Sequence, residues 1–245
     1  MDFINKTVII TGATRGIGLA ILKLFEQNNA TIIATGTNKE KISELNKNKN
    51  NNKIQYLYLD YTIESSINSF LSQISKLNKI DILVNNAGVN KISPIKNIKT
   101  NDWDIINNIN LRGPFLITRE VSKVMELNLY GRIINISSIY GTISKSKRAS
   151  YSTTKWGLIG FTKAVALDLA SKGVLVNAVS PGFVDTSLTR KILGENELKK
   201  LISTIPQQRL ANPKEIAKII LFLSSDENTY ITGQNIIIDG GYTSA

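Results

Sequence analysis

The sequence of 245 residues contains no cysteine and no histidine. The lack of cysteine excludes disulfide bonds and thiolate catalysis, and it is compatible with a reducing compartment. Protein zinc sites rely mainly on Cys and His ligands, so no metal site is predicted. Histidine is also the usual proton shuttle near pH 7. If the protein is an acid–base enzyme, another side chain must therefore supply the proton.

Long apolar runs are missing as well. No stretch approaches the ~18 consecutive apolar residues that a membrane-spanning helix requires. The N-terminal segment MDFINKTVIITGATRG lacks the basic and apolar regions of a signal peptide. We therefore expect a cytoplasmic protein without a membrane partner. The composition, 42% hydrophobic and 20% charged, is ordinary for a globular chain of this length.

Negative charge is scarce, and the formal net charge is +11. One interpretation is compositional drift toward Lys, Asn and Ile, as in NKNKNNNK (46–53). A second is attraction of anions, such as phosphorylated ligands or an acidic carrier protein. Nucleic acid is the least favoured partner, because the lysines are scattered and no binding motif accompanies them. We favour the first interpretation and expect no nucleic-acid partner.

Short β-branched runs alternate with segments of helical period along the whole chain. Strands are predicted at 6–11, 31–35, 54–60, 80–86, 131–137, 174–180 and 235–241. Helices are predicted at 18–28, 39–47, 65–77, 101–127, 151–173 and 212–225. Such alternation predicts an α/β fold: a Rossmann-type, doubly wound parallel sheet flanked by helices. No linker interrupts the pattern, so we expect a single domain over residues 1–245.

The segment TGATRGIG (11–18) joins the first predicted strand to the first helix. Gly12, Gly16 and Gly18 form the pattern G-x-x-x-G-x-G, which lets a backbone turn tightly against a pyrophosphate at a helix N-terminus. Glycine turns also serve as plain strand–helix connections. The position at the start of a strand–helix unit favours a dinucleotide site.

The end of the second strand bears on which dinucleotide is bound. NAD sites usually place an acidic residue ~20 residues beyond the glycine turn, on the ribose 2′-hydroxyl. Here the strand ends in Thr35-Gly36-Thr37-Asn38, without an acid. With Arg15 in the glycine turn, this favours NADP(H), and NAD(H) remains possible. Arg15 could equally be a solvated surface residue.

Within RASYSTTKWG (148–157), Tyr151 and Lys155 are four residues apart and lie on one face of the predicted helix. A nearby ammonium favours the phenolate and lowers a tyrosine pKa, which suits general acid–base work. Taken alone, such a pair is most often an inert surface pair. Ser138 strengthens the functional interpretation, because it follows a predicted strand where doubly wound sheets bind ligands. A serine there could also merely satisfy its own loop.

Several motifs occur together in a fixed order. They are TGATRGIG, NNAG (85–88), NIN (108–110), Ser138, YSTTK, PGFVDT (181–186) and ITGQNIIIDGG (231–241). In this order they resemble the classical short-chain dehydrogenase/reductase family over essentially the whole chain. Within that family the sequence is most similar to the 3-oxoacyl-(acyl-carrier-protein) reductases of fatty acid synthesis.

The resemblance implies a role for each matching residue. Tyr151 would be the catalytic acid, Lys155 would lower its pKa and bind the nicotinamide ribose, and Ser138 would orient the substrate carbonyl. Asn110 would hold a water that relays protons from Lys155. The implied cofactor contacts are Gly12, Arg15, Gly16, Ile17 and Gly18 at the phosphates, Asp60 at the adenine, Asn86, Ala87 and Gly88 at the adenosine ribose, and Pro181, Gly182, Val184 and Thr186 at the nicotinamide.

Three positions depart from the carrier-linked pattern. Leu129 stands where a basic residue is expected, Lys172 replaces an arginine, and Arg148 replaces a neutral amide. Arg148 could contact a substrate carboxylate or phosphate, or could be solvated. We expect an NADPH-dependent carbonyl reductase acting on 3-oxoacyl thioesters, free or carrier-bound. A sugar, polyol or polysaccharide-precursor dehydrogenase is an alternative, and a non-catalytic NADP-binding or regulatory protein is another.

Two further expectations concern assembly and substrate access. The resemblance implies a homotetramer, or a homodimer, built on helices 101–127 and 151–173. Leu158, Phe161, Val165 and Leu169 have the spacing for such a face, although the same stripe would also serve a core. Residues 186–212 are expected to form a lid over the substrate, since loops of this length are usually functional. An ordinary connecting loop is the other interpretation.

Overall fold

The computed structural model describes residues 1–48, 51–186, 189–190 and 194–244, with Glu195 described by its backbone alone. Seven strands form one sheet in the order β3-β2-β1-β4-β5-β6-β7, and every neighbouring pair is parallel. The predicted fold class is confirmed. The strands are β1 (Thr7–Ile10), β2 (Thr31–Gly36), β3 (Ile54–Tyr58), β4 (Ile82–Asn85), β5 (Gly131–Ile136), β6 (Val174–Pro181) and β7 (Asn235–Ile238).

Helices cover both faces of the sheet. They are α1 (Gly16–Gln27), α2 (Lys39–Lys47), α3 (Glu64–Ile74), α4 (Thr100–Asn107), α5 (Gly113–Leu127), α6 (Ala149–Leu169), α7 (Glu195–Ser203) and α8 (Pro213–Ser224). Within the described ranges, no helix is both long and apolar enough to cross a membrane.

The strands feed two apolar layers because successive side chains alternate between the two faces of a sheet. In β1, Val8 and Ile10 face the layer formed with α1 and α8, whereas Ile9 faces the layer formed with α3, α5 and α6. All three side chains are buried. β1 is therefore apolar on both faces, as is typical of a strand in a parallel sheet covered on both faces.

The helix predicted at 101–127 is interrupted by a π-helical turn at Asn108–Arg112, which joins α4 to α5. Pro114 lies just beyond this turn. Its nitrogen carries no hydrogen to bond the Asn110 carbonyl four residues earlier, and its ring would clash with that carbonyl in a regular helix. Residues 108–112 therefore adopt a wider turn, a form that is frequent at functional sites.

The helix predicted at 151–173 begins earlier and ends earlier. It starts at Ala149, and a 3-10 turn (Ala170–Lys172) follows Leu169. Gly173 then adopts a left-handed conformation with φ of 73°, as expected of a glycine that terminates a helix. Leu158 and Leu169 are buried within the protomer, so this part of the apolar stripe belongs to the core.

The expected lid contains helix α7, and its Ala211 forms an isolated bridge with Val184, which lies just before the segment. Residues 187–188 and 191–193 of this segment lie outside the described residues. Beyond the segment, α8 starts as predicted: Asn212 is the N-cap, and its side chain accepts from Lys214 N at 2.8 Å. Glu215 completes a capping box by accepting from Asn212 N at 2.7 Å.

This cap gives a test of local stability. We predict that Asn212→Ala lowers the free energy of unfolding by about 1 kcal/mol, because the first turn of α8 loses an acceptor for its free N–H groups. Urea denaturation of both proteins measures the difference. Asn78→Ala, at an exposed position, is the control and should change stability by less than about 0.5 kcal/mol. Equal stability of the wild type and Asn212→Ala would contradict the capping role.

Candidate active site

The sheet reverses its winding between β1 and β4, which are adjacent although β2 and β3 lie between them in the chain. Ligands of doubly wound sheets bind at such a switch point, beyond the carboxyl ends of the strands. The predicted site residues follow these ends: Gly12 after β1, Asn86 after β4, Ser138 after β5 and Gly182 after β6.

The glycine turn has a geometry that only glycine supports. Gly12 and Gly16 adopt φ values of +65° and +56°. A Cβ atom on Gly18 would collide with the Gly12 carbonyl and the Asn86 side-chain amide. Helix α1 begins at Gly16 and has no acidic residue in its first turn. The turn therefore presents an open helix N-terminus, which fits the pyrophosphate of a dinucleotide.

Hydrogen bonds fix the end of β4 against this turn. The N–H groups of Asn86 and Ala87 each donate to Thr11 Oγ1 at 3.0 Å. Asn86 Nδ2 donates to the carbonyls of Thr11, at 2.9 Å, and Gly12, at 3.0 Å. These hydrogen bonds hold together the two segments, around residues 12 and 86, that are predicted to bind the cofactor.

Beyond β2, Thr37 is exposed and lies near two lysines that the sequence analysis did not consider. Lys41 Nζ donates to the Thr14 carbonyl of the glycine turn at 3.4 Å, and Lys39 Nζ lies 4.8 Å from the centre of the Tyr58 ring. With Glu40 between them, Lys39 and Lys41 give the first turn of α2 two cations and one carboxylate. Their spacing on α2 carries no recognisable motif, so only the folded structure reveals them.

Asp60, predicted to meet the adenine, follows β3 at the same edge of the sheet. Its Oδ1 accepts from Thr62 N at 2.9 Å and from Thr62 Oγ1 at 2.6 Å. Its own N–H donates to Ser66 Oγ at 2.9 Å. The carboxylate therefore organises the loop before α3, and the adenine contact stays a prediction.

Asn110 is fully buried in the π-helical turn. Its Oδ1 accepts from Val89 N, and its Nδ2 donates to the Val89 carbonyl, both at 2.9 Å. Nδ2 also donates to Thr154 Oγ1 of α6 at 3.1 Å. These side-chain atoms hold the loop after β4 against α6. The backbone carbonyl of Asn110 is the group whose regular helical donor is missing at Pro114.

Lys155 is buried, and its Nζ donates to the Ile136 carbonyl at the end of β5 at 2.7 Å. Burial lowers the pKa of this ammonium to about 8. The Nζ atom lies 5.6 Å from the centre of the Tyr151 ring. Gly88 lies beside it: a Cβ there would be 3.6 Å from Nζ.

Tyr151 lies in the first turn of α6, close to Ser138. Burial raises the pKa of its phenol, while the hydrogen bond with Ser138 and the positive charge of Arg148 oppose this rise. The sequence predicts that Lys155 lowers this pKa. The net direction in the structure is upward because burial is the largest cause, and the cation that opposes the rise is Arg148. The Lys155 ammonium donates to Ile136.

A cavity of about 280 Å³ brings most of the predicted residues together. The predicted residues that line it are Ile17, Asn86, Gly88, Ser138, Arg148, Tyr151, Lys155, Pro181, Gly182, Val184 and Thr186. The other predicted residues do not line the cavity. Ala87 and Asn110 are next to residues that do, Gly12, Arg15, Gly16 and Gly18 belong to the glycine turn, and Thr37 and Asp60 follow β2 and β3 farther along the sheet edge.

The cavity also has an aromatic wall that sequence reasoning missed. Tyr140 makes edge-to-face contacts with Tyr151 and Phe183, at centroid distances of 6.4 Å and 6.5 Å. Phe183 in turn contacts Tyr242, at 5.1 Å. Val89, Asn90 and Thr189 line the same space. These residues come from separate loops, and no motif connects them in the sequence.

A family model described as enoyl-(acyl carrier protein) reductase matches residues 12–243. The chain belongs to the short-chain dehydrogenase/reductase family. Among curated members of the family, the 3-oxoacyl-(acyl-carrier-protein) reductase FabG of Thermotoga maritima is 40% identical over 240 residues, which is 97% of both chains. The enzyme of the same name from Escherichia coli is 37% identical over 242 residues, 98% of both chains.

Solved structures of the short-chain dehydrogenase/reductase family share the fold. A gluconate 5-dehydrogenase from Burkholderia cenocepacia, in complex with NADP and tartrate, has a TM-score of 0.92 and 27% identity, with 100% of this chain and 97% of that chain covered. ElxO with NADP bound has a TM-score of 0.90 and 33% identity, with 98% and 99% covered. The similarity thus spans enzymes with different substrates.

The hydrogen bonds of Asn110 give a test of the site's rigidity. We predict that Asn110→Ala lowers the free energy of unfolding by about 1–3 kcal/mol, because partly buried backbone groups of Val89 lose both partners and buried Thr154 loses one. Thermal or urea unfolding measures the change. Asn107→Ala, one turn earlier, removes only a bond from a more exposed amide to Trp103 O and should cost less than about 0.5 kcal/mol. Equal losses in the two variants would show that Asn110 does not fix this loop.

Proposed function

We propose that the protein is an NADPH-dependent reductase of 3-oxoacyl thioesters. The observation that carries this proposal is the convergence of Ser138, Tyr151 and Lys155 on one cavity beside a glycine turn built for a pyrophosphate. The curated relatives at 37% and 40% identity carry the name of this activity over nearly the whole chain. A soluble, cytoplasmic enzyme of fatty acid synthesis fits this assignment.

The phosphate edge of the site supports NADP(H) as the cofactor. The glycine turn and the N-terminus of α1 would hold the pyrophosphate. Arg15, Lys39 and Lys41 would provide positive charge for a 2′-phosphate near Thr37, where an acid would repel it. Two of the solved structures are described with NADP bound. When bound, the reduced nicotinamide supplies a hydride to the carbonyl carbon of the substrate.

The side chains of the cavity then manage the carbonyl oxygen. Ser138 orients this oxygen, and Tyr151 Oη donates its proton to it, so that hydride and proton together yield a secondary alcohol. The phenol of Tyr151 is protonated at neutral pH, and Ser138 and Arg148 oppose the rise in its pKa that burial causes, which favours proton donation. The position of Tyr151 in the first turn of α6 favours the phenolate that remains, because the N-terminal end of a helix is positive.

Lys155 and Asn110 take part in returning a proton from solvent to Tyr151. The buried Lys155 ammonium lies near the phenol ring and can stabilise the phenolate and bind the nicotinamide ribose. The Asn110 carbonyl, which has no regular helical donor, is the proposed acceptor for a water that links Lys155 to solvent. In this way a chain without histidine carries out proton transfer near pH 7.

A second candidate is a dehydrogenase of sugar acids or polyols. It is favoured by the cation Arg148 in the cavity and by the likeness to gluconate 5-dehydrogenase. The machinery is common to both candidates, so the substrate decides between them. A non-catalytic NADP-binding protein is less favoured, because it has no use for Ser138, Tyr151 and Lys155 in one cavity.

We also propose a homotetramer or homodimer built on α4, α5 and α6. Trp103, Phe115 and Trp156 on these helices are large apolar residues with exposed side chains in the protomer. Phe115 forms an edge-to-face pair with Phe161 across α5 and α6 at 6.4 Å. Light scattering of the purified protein measures the number of chains in the assembly.

The segment 186–212 is the proposed lid over the substrate.

The first functional prediction concerns the proton donor. We expect Tyr151→Phe to lower kcat for acetoacetyl-N-acetylcysteamine roughly 100- to 10,000-fold, because the general acid is lost. The Kd for NADPH should change less than about 2-fold, since one hydroxyl is removed without altering the pyrophosphate site. NADPH oxidation measures the rate, and fluorescence titration measures the Kd.

Tyr230→Phe, at an almost fully exposed position, is the matched control and should keep wild-type kinetics. Crotonyl-N-acetylcysteamine, a 2-enoyl thioester, tests carbon–carbon double-bond reduction in the same assay and should not be turned over. Full activity of Tyr151→Phe would disprove the assigned acid. No wild-type activity on the acetoacetyl thioester, with turnover of keto-sugars or sugar acids, would replace the first function by the second.

The second functional prediction concerns the cofactor. We expect kcat/KM for NADPH to exceed that for NADH by at least about 10-fold. Arg15→Ala combined with Lys41→Ala should reduce this ratio, because both changes remove positive charge near the 2′-phosphate while leaving the glycine turn intact. Lys76→Ala, an exposed lysine after α3, controls for total charge. A wild-type preference for NADH would contradict the proposed role of Arg15 and Thr37.

A further inference from the structure

Arg148 occupies a position at the start of α6 where an arginine is unfavourable for the helix. It is the N-cap of α6, where Ser, Thr, Asp and Asn are favoured, and it makes no side-chain cap hydrogen bond. A cation at this end also opposes the helix dipole. A side chain that costs local stability at the edge of a cavity points to a function.

The Arg148 guanidinium packs against an aromatic ring, but one of its nitrogen atoms has no hydrogen-bond partner in the ranges that the structure describes. Its Cζ lies 5.5 Å from the centre of the Tyr140 ring, which supports it from one side. Its Nη1 is shielded from solvent and has no hydrogen-bond partner among the described residues. In the described part of the chain, no Asp or Glu is within ion-pair distance of it. Tyr140 is a hydrogen-bond partner of the guanidinium, and Nη1 is the donor that remains available to a ligand in the cavity.

The cavity around Arg148 is positive. Its described lining includes two cations, Lys155 and Arg148, and no Asp or Glu. Lys155 already donates to Ile136, so Arg148 is the cation with a donor to offer. Asn90 Oδ1 is a second buried polar atom in this lining that has no partner within the described ranges. The cavity thus carries a polar region in addition to Ser138 and Tyr151.

We propose that Arg148 binds a second oxygen of the substrate, the acyl oxygen that lies β to the carbonyl being reduced. Arg148 immediately precedes α6, Tyr151 lies in its first turn, and both side chains line the same cavity. The charge of Arg148 acts on the Tyr151 phenol, so the two groups are close. A 3-oxoacyl compound has two oxygens on carbons that one methylene group separates: the ketone oxygen, for Ser138 and Tyr151, and the acyl oxygen, for Arg148.

This inference rests on the proposed function and narrows it. The acceptor that a guanidinium requires is supplied by a thioester carbonyl and also by a free carboxylate. In both cases the fork of Arg148 holds the substrate in one orientation, with the acyl chain on a fixed side of the nicotinamide. Arg148 would therefore determine which ketones are accepted, while Tyr151 delivers the proton to any of them.

The test compares wild type, Arg148→Ala and Arg148→Gln on three ketones. These are acetoacetyl-N-acetylcysteamine, acetoacetate and 2-pentanone, which lacks the second oxygen. We expect Arg148→Ala to lower kcat/KM roughly 10- to 100-fold on the first two, mainly through KM, because a charge-assisted hydrogen bond is lost. On 2-pentanone the loss should be at least several-fold smaller than on the first two, because only the effect of the Arg148 charge on Tyr151 remains there. Lys145→Ala, an exposed lysine of the same loop, is the charge control and should match wild type on all three.

Arg148→Gln separates the two acyl groups. A glutamine amide can still donate to a neutral thioester carbonyl but gives no charge to a carboxylate, so it should restore activity on the thioester and not on acetoacetate. An equal loss on all three ketones would overturn the proposal, because Arg148 would then act on Tyr151 or on the fold. Unchanged kinetics of Arg148→Ala on all three would overturn it as well.

The same measurements test the proposed function independently of the role of Arg148. If wild type reduces acetoacetate but not the thioester, the thioester function fails, and Arg148→Ala on acetoacetate alone decides the role of Arg148. If wild type reduces the thioester and Arg148→Ala is unimpaired on it, the function stands and the role of Arg148 fails. NADPH titration of each variant, with an unchanged Kd, shows that the fold and the cofactor site are intact.

Discussion

The site depends on the contact between the Lys155 ammonium and the Ile136 carbonyl. The Lys155 ammonium is buried at the end of β5, and the Ile136 carbonyl oxygen, 2.7 Å from Nζ, compensates for part of its lost hydration. Lowering the pKa of Lys155 from 10.5 to about 8 costs about 3 kcal/mol of folding free energy below pH 8. Between pH 8 and 10.5 the unfolded chain binds more protons at Lys155 than the folded one, so this cost disappears as pH rises. The fold keeps a charge beside Tyr151 at the expense of stability.

Buried polar side chains hold the helices that carry this charge. Asn85 at the end of β4 donates to Asn135 of β5 at 2.8 Å and to Thr118 of α5 at 3.1 Å. Asn135 in turn donates to Thr162 of α6 at 2.9 Å. These bonds run from the two central strands to both helices behind the site, and Asn110 adds a further link to α6. Because these hydrogen bonds lie away from water, helix α6 cannot rotate without breaking them. Its first turns therefore present Tyr151 and Lys155 to the cavity.

The arrangement of the sheet and the position of the site were predictable from the sequence because they depend on local patterns. Apolar runs of four to eight residues mark the strands, and Gly12, Gly16 and Gly18 mark the turn that a Cβ would obstruct. The π-helical turn was not predicted, since helical periodicity continues through it and only Pro114 indicates a break. The predicted direction of the Tyr151 pKa was wrong because burial of the phenol, which residue spacing does not reveal, raises this pKa. Lys41, Asn90 and Tyr140 come from distant segments and carry no motif, so only the folded chain brings them to the site.

The most direct test of this view is the titration of Lys155 in the intact protein. Carbon-13 labelling of lysine side chains gives one NMR resonance for each ammonium group, and Lys155→Met identifies the resonance of interest. We predict an apparent pKa near 8 for Lys155, well below the ordinary lysine value of ~10.4. A pKa of Lys155 at or above that ordinary value would show that its ammonium remains hydrated, and would contradict the buried contact with Ile136 on which the proposed proton transfer depends.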